Sequence, residues 1–82
     1  MGKIIVVIGA NGFVGRSIVD LLSADSSNTV YCFDRFSTGI KIKPKDNIII
    51  VKGNYFSNDD IDKIAMKDSY LIQCLSVTNP SS

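Results

Sequence analysis

Eighty-two residues hold at most one small domain, and a chain that short buries only about 60% of the surface its unfolded form exposes. Hydrophobic residues make up 45% and charged residues 21%, with nine Lys plus Arg against eight Asp, no Glu and no His. The near-neutral balance gives no reason to expect nucleic acid as a partner. The missing His removes Ser-His-Asp and Cys-His pairs together with the commonest metal ligand, and no apolar run approaches the ~20 residues of a membrane span. Cys32 and Cys74 fall in predicted strands without C-x-x-C spacing, so no metal site is expected and both read as reduced core thiols. The N-terminus enters a strand at once and lacks the separate charged and apolar regions of a signal peptide, which makes the reading cytoplasmic.

Lys3 to Ile8 is the first predicted strand, and its near-continuous apolar run suits a parallel strand covered on both faces. Gly9, Gly12 and Gly15 follow at three-residue intervals. A helix is predicted from Gly12 to Ser23, with Val14, Ile18, Leu21 and Leu22 on its apolar face. The polar stretch Asp25 to Asn28 reads as a turn. Thr29 to Phe33 reads as the second strand, with Asp34 at its carboxyl end. Arg35 to Asp46 is irregular: Ser37-Thr38-Gly39 is turn-like, Pro44 discourages a long helix, and Lys41, Lys43 and Lys45 read as a solvated loop. Asn47 to Lys52 holds a third strand. Ser57 is the expected N-cap of a short helix, with acids in its first turn and Ile61, Ile64 and Ala65 facing inward. That helix start explains Asp59 and Asp60 without a metal. Ser69 to Val77 holds the fourth strand. Alternating units of this kind call for an α/β fold with a parallel sheet and right-handed crossovers. The expected strand order is 3-2-1-4, the N-terminal half of a Rossmann-type sheet.

Strand, glycine turn and helix together place a helix N-terminus, with its free N–H groups and positive dipole end, where a phosphate can sit. Gly9 allows the sharp turn, Gly12 lets a pyrophosphate approach the backbone, and Gly15 lets the helix pack closely on the sheet. Phosphate contacts are expected from backbone N–H groups around Asn11 to Val14. Asp34 lies nineteen residues after Gly15, where a carboxylate can accept hydrogen bonds from ribose hydroxyls and repel a 2′-phosphate. This favours NAD over NADP, although Arg35 can also reach a 2′-phosphate or stack on adenine. Phe13 has a second reading as simple packing at the helix start. Tyr55 and Phe56 read more readily as core or rim aromatics than as an adenine platform.

On these residues the sequence resembles the extended short-chain dehydrogenases/reductases, and within them the NAD-dependent nucleotide-sugar epimerases and dehydratases. GANGFVG is similar to their GxxGxxG signature, Asp34-Arg-Phe-Ser-Thr-Gly39 to their D-N-L-S-T-G segment, and Gly53-Asn54-Tyr55 to their G-D-[hydrophobic] segment. Gln73-Cys74-Leu75-Ser76 stands where they often have H-L-A-A. The resemblance implies that Gly9, Gly12 and Gly15 form the phosphate turn, with Asn11, Phe13 and Val14 along the pyrophosphate. It puts Asp34 on the ribose, with Arg35, Ser37, Thr38 and Gly39 beside it, and Asn54 and Tyr55 at the adenine. Cys74, Leu75, Ser76 and Thr78 would line the wall toward the nicotinamide. Asn54 departs from the family's acid and carries no charge.

The family's catalytic Tyr-x-x-x-Lys has no counterpart. Tyr31, Tyr55 and Tyr70 are followed four residues on by Arg35, Asp59 and Cys74, so no catalytic residue is assigned. The 82 residues read as a partial dinucleotide-binding domain, the N-terminal part of a longer product whose catalytic and substrate parts are absent. In the intact enzyme the resemblance implies a Tyr base assisted by Lys, taking a proton from a sugar hydroxyl while NAD accepts hydride. The Phe36-Ser-Thr-Gly39 loop leans toward an epimerase of the UDP-glucose 4-epimerase kind. Two other readings remain open, a non-enzymatic dinucleotide-sensing module and an assembly module. A four-stranded half-sheet leaves an edge that can template pairing with another chain, so self-association is expected.

Overall fold

In a computed structural model that describes residues 2–54, 57–62 and 69–74, the chain builds strands β1 (Ile4–Ile8), β2 (Thr29–Asp34), β3 (Ile48–Lys52) and β4 (Ser69–Gln73). Two helices join them, α1 (Phe13–Ser23) and the one-turn α2 (Asn58–Asp62). All pairings are parallel and the order is β3-β2-β1-β4. The expected topology is therefore the observed one. β1 and β2 run in register from Ile4↔Thr29 to Ile8↔Phe33, and β1 and β4 from Ile4↔Ser69 to Ile8↔Gln73.

Alternation along the pleat divides the apolar residues between two faces. Ile5, Val7, Val30 and Cys32 face α1 and meet Val19, while Val6, Ile8 and Phe33 form a second cluster with Tyr31 and Val51 on the other face. β1 is the central strand buried on both sides: Val6 and Val7 are both 0% exposed. Its unbroken β-branched run reflects that position, since each such side chain gains roughly 1.5–3 kcal/mol from full burial.

α1 departs from its expected face. Its buried residues are Gly15, Val19 and Ser23, with Ile18 and Leu22 partly buried, whereas Val14 is 58% and Leu21 76% exposed. The helix is rotated so that small residues meet the sheet, because Gly15 can approach the backbone of the preceding turn where a larger side chain cannot. Its C-terminal carbonyls are taken up by side chains: Asn28 Nδ2 donates to Leu22 O at 3.0 Å and Asn47 Nδ2 to Ser23 O at 3.0 Å. The irregular segment after β2 also contributes to the core, since Phe36 and Ile42 are each only 7% exposed and join the α1-side cluster.

Further boundaries differ from the sequence reading. The first strand begins at Ile4, the first helix at Phe13 with Gly12 as its N-cap, β2 runs through Asp34, β3 begins at Ile48, and β4 ends at Gln73 among the described residues. Cys74 therefore lies just beyond a strand, although its N–H still donates to Ile8 O at 2.7 Å. The Ser57 cap is present, its Oγ accepting the Asp60 N–H at 3.4 Å. Ile64, Ala65, Tyr55, Phe56 and the segment from Leu75 through Ser76, Val77 and Thr78 lie outside the described residues, as does the side chain of Ile61.

Candidate dinucleotide site

Four parallel strands put all their carboxyl ends on one side of the sheet. The Gly9–Gly15 turn follows β1, Asp34 ends β2, Gly53 and Asn54 follow β3, and Cys74 follows β4. The chain leaves β1 toward β2 on one flank and has β4 on the other, so the glycine turn stands at the point where strand order reverses, the usual ligand crevice of open α/β sheets. Backbone hydrogen bonds hold this rim. Gly9 N–H donates to Phe33 O at 2.8 Å and Gly53 N–H to Asp34 O at 3.0 Å.

The three glycines separate by physical cause. Gly9 has φ +77°, a conformation that costs an L side chain about 1–2 kcal/mol. Gly15 has ordinary helical geometry but no room, because a Cβ there would overlap Gly9 O and come within 2.8 Å of Ala10 Cα. Gly12 has neither constraint. Its φ of −75° and ψ of 171° suit any residue, and a Cβ would meet only Gly9 O at 3.5 Å, an ordinary contact. Nothing internal to the described protein requires glycine at position 12.

Gly12 is also the N-cap of α1, with no side-chain capping bond and no acid in the first turn. The first bond into the helix is Arg16 N–H to Gly12 O at 2.9 Å. Among the described residues no hydrogen bond takes up the N–H groups of Phe13 and Val14, and both side chains are exposed, Phe13 by 80%. One turn into the same helix, the buried Arg16 Nε has no partner among the described residues. Unfilled donors at a positive helix end, beside a glycine without an internal purpose, fit a bound pyrophosphate.

Asp34 stands where it was expected, but it is already engaged. Its Oδ2 accepts the Asn11 N–H at 3.1 Å and its Oδ1 accepts the Phe36 N–H at 3.0 Å. Each oxygen retains lone-pair capacity for a hydroxyl donor. The second bond supports Phe36 in a left-handed conformation, φ +53°, which is uncommon for a bulky residue. Asn11 is buried, and its N–H goes to Asp34 instead of remaining open to a phosphate; its side chain binds Gly39 and Lys41. Arg35, Ser37, Thr38 and Gly39 are exposed beside Asp34, and Asn54 is exposed past β3. Cys74 packs against the α1-side cluster, and burial pushes its thiol above the ordinary range. The Phe36 and Ile42 anchors and the Asn11 bonds were not foreseen. The apolar residues at 36, 40 and 42 were the available signal, blurred by the intervening lysines.

A parallel 3-2-1-4 sheet with a glycine turn at its first crossover defines the first half of a doubly wound nucleotide-binding fold. The model of the NAD dependent epimerase/dehydratase family matches residues 5–77, and the chain belongs to that family. Among solved structures it is similar to the epimerase Mth375 of the thermophilic, pseudomurein-containing methanogen Methanothermobacter thermautotrophicus, with a TM-score of 0.78 and 24% identity. The likeness covers 92% of this chain and 23% of that one, so the present chain spans about a quarter of its length. At that identity the likeness speaks for the fold. A comparison with curated proteins finds no match.

Proposed function

We propose that the chain holds the adenosine diphosphate portion of NAD at the Gly9–Gly15 turn, as the cofactor-binding part of a protein acting on a nucleotide sugar. Gly12 carries the reading: its missing side chain serves no described internal contact and stands at an uncapped helix end. Membership in a family named for NAD supports the dinucleotide. The N–H groups of Phe13 and Val14 would bind the pyrophosphate, Asp34 the ribose hydroxyls, and Arg35 with Ser37 to Gly39 would flank the adenosine. When bound, the nicotinamide supplies a hydride acceptor. The family resemblance would put Cys74, with Leu75, Ser76 and Thr78, toward the nicotinamide and Asn54, with Tyr55, toward the adenine; of these only Cys74 and Asn54 are among the described residues.

The negative charge of Asp34 would oppose a 2′-phosphate and favour NAD. An epimerase of the UDP-glucose 4-epimerase kind is the reaction type we favour, acting in the cytoplasm, where two free cysteines suit a reducing environment. The outer edge of β4, with Tyr70 and Leu71 exposed, is proposed as the route of self-association.

Titration calorimetry with NAD and NADP tests the binding. NAD should bind more tightly, and Asp34→Asn, which removes the charge, should narrow the difference by about tenfold, equivalent to the loss of one charge-assisted hydrogen bond. Equal affinity for both nucleotides in the unaltered chain would overturn the assignment of NAD.

A further inference from the structure

We propose that Asn11 is a positioning residue that latches the Phe36–Lys41 loop to the glycine turn, so that the wall beside the adenosine is assembled before any ligand arrives. The inference rests on the dinucleotide reading above and deepens it.

The observation is a closed circuit of hydrogen bonds. Asn11 N–H donates to Asp34 Oδ2 at 3.1 Å, and Phe36 N–H donates to Asp34 Oδ1 at 3.0 Å. Gly39 N–H donates to Phe36 O at 3.0 Å, and Asn11 Nδ2 donates to Gly39 O at 2.7 Å. Outside the circuit, Lys41 N–H donates to Asn11 Oδ1 at 2.7 Å. A primary amide offers a donor and an acceptor side by side, as a peptide group does. Asn11 thus pairs with Gly39 O and Lys41 N–H as a neighbouring strand would. Only 8% of Asn11 is exposed, so breaking one of these bonds leaves a polar group of a buried side chain without its partner.

The circuit explains how an irregular segment is held in one shape. Two of its backbone positions are left-handed, Phe36 at φ +53° and Gly39 at φ +91°. Such conformations persist when the surroundings over-determine them. Asp34 fixes the loop's start and Asn11 fixes its far end, and Asn11 joins both to the turn that begins α1. A ligand meeting the turn and the loop then finds both already placed, and binding does not have to order the loop. Asn11 contributes to affinity without contacting the ligand.

Asn11→Asp is the first test. It is isosteric and keeps the acceptor for Lys41 N–H, but it replaces the donor to Gly39 O with a charged oxygen. Lys41→Pro breaks the latch from the exposed side by deleting the N–H that Asn11 receives. For each variant, amide hydrogen exchange is followed at Gly39 and Lys41 with and without NAD, and NAD and AMP affinities are measured by calorimetry at a temperature where circular dichroism shows an intact fold. The latch predicts that, in Asn11→Asp, the Gly39 and Lys41 amides exchange faster in the free chain and regain protection when NAD is bound. In Lys41→Pro the Gly39 amide reports the same behaviour. NAD and AMP affinities should fall together by about ten- to a hundredfold. A purely structural role would lower the melting temperature and leave these affinities unchanged. If the unaltered chain binds NAD and both folded variants bind it equally well, the latch is overturned and the dinucleotide reading stands. If the unaltered chain binds neither NAD nor AMP, the dinucleotide reading is overturned and the latch's role in affinity with it.

Discussion

Gly15 stands against the backbone of Gly9 so closely that a Cβ on Gly15 would overlap the Gly9 carbonyl oxygen. This contact draws α1 onto the sheet and sets the direction in which its N-terminus points. Backbone cannot retreat as the end of a flexible side chain can, so Gly15→Ala must push the helix outward. The expected cost is about 1–3 kcal/mol of overpacking, or a fall in melting temperature on the order of 4–8 °C for each kcal/mol. Thermal denaturation followed by circular dichroism measures it, and a Gly15→Ala chain that melts with the unaltered one would show that the contact relaxes freely.

Gly39 provides a contrast in cause. A Cβ there meets nothing within 4 Å, but φ is +91°. Gly39→Ala should therefore destabilise through backbone conformation alone, by about 1–2 kcal/mol. Gly39→Asn should recover part of that loss, because Asn tolerates positive φ better. Urea titrations of the three chains give the comparison. Equal destabilisation by Ala and Asn would point to an unrecognised contact.

Cys32 lies on β2 with no exposed surface, and burial pushes its thiol up to about 12 from the ordinary 9.0. The unfolded chain therefore loses this proton at a lower pH than the folded one. Stability is unaffected by this group below about 9 and falls as the pH rises from there toward 12. Urea midpoints measured from pH 7 to 11 should decline above pH 9 and decline less in Cys32→Ala, once that variant's lower baseline is subtracted. Iodoacetamide should modify Cys32 only as fast as the protein opens. Alkylation at the rate of a free cysteine, without unfolding, would contradict its placement.

β4 pairs with β1 on one side, and Tyr70 and Leu71 are 57% and 61% exposed. Exposed apolar residues on a strand edge promote chain-to-chain pairing. Sedimentation velocity should reveal species larger than a monomer as concentration rises, and Leu71→Lys should shift the distribution toward monomer. A single monomeric boundary across the accessible concentrations would contradict the self-association proposal.

Where one force dominates, the sequence was readable. The β-branched run of β1 and the alternation of strand and helix signals announced the parallel sheet with β1 inside it, because a strand buried on both faces has no polar positions to spare. The face of α1 was not readable. By spacing alone Val14, Ile18, Leu21 and Leu22 make the most apolar stripe, and only the close approach of Gly15 to Gly9 turns the neighbouring Gly15, Val19 and Ser23 row to the sheet instead. The role of Asn11 was hidden for a similar reason. Its partners lie 28 and 30 residues away at Gly39 and Lys41, and its short polar side chain looked like part of the phosphate turn. The alternating Ile40 and Ile42 gave little warning of burial because Lys41 separates them and Lys43 follows; only Ile42 turns inward, with Ile40 left 60% exposed.

The central claim is that Gly12 is glycine for the sake of a ligand, and Gly12→Ser tests it most directly. Ser is a favoured N-cap, the backbone at position 12 is already extended, and no described neighbour obstructs a Cβ. The hydroxyl would take up helix N–H groups that a pyrophosphate needs, while its Cβ would crowd the approach. The melting temperature should be unchanged or slightly higher, by about a few tenths of a kcal/mol of capping, while NAD affinity should be at least about tenfold weaker by calorimetry. Unchanged NAD binding in the folded variant would contradict the site, and a marked loss of stability would contradict the claim that the glycine serves no internal purpose.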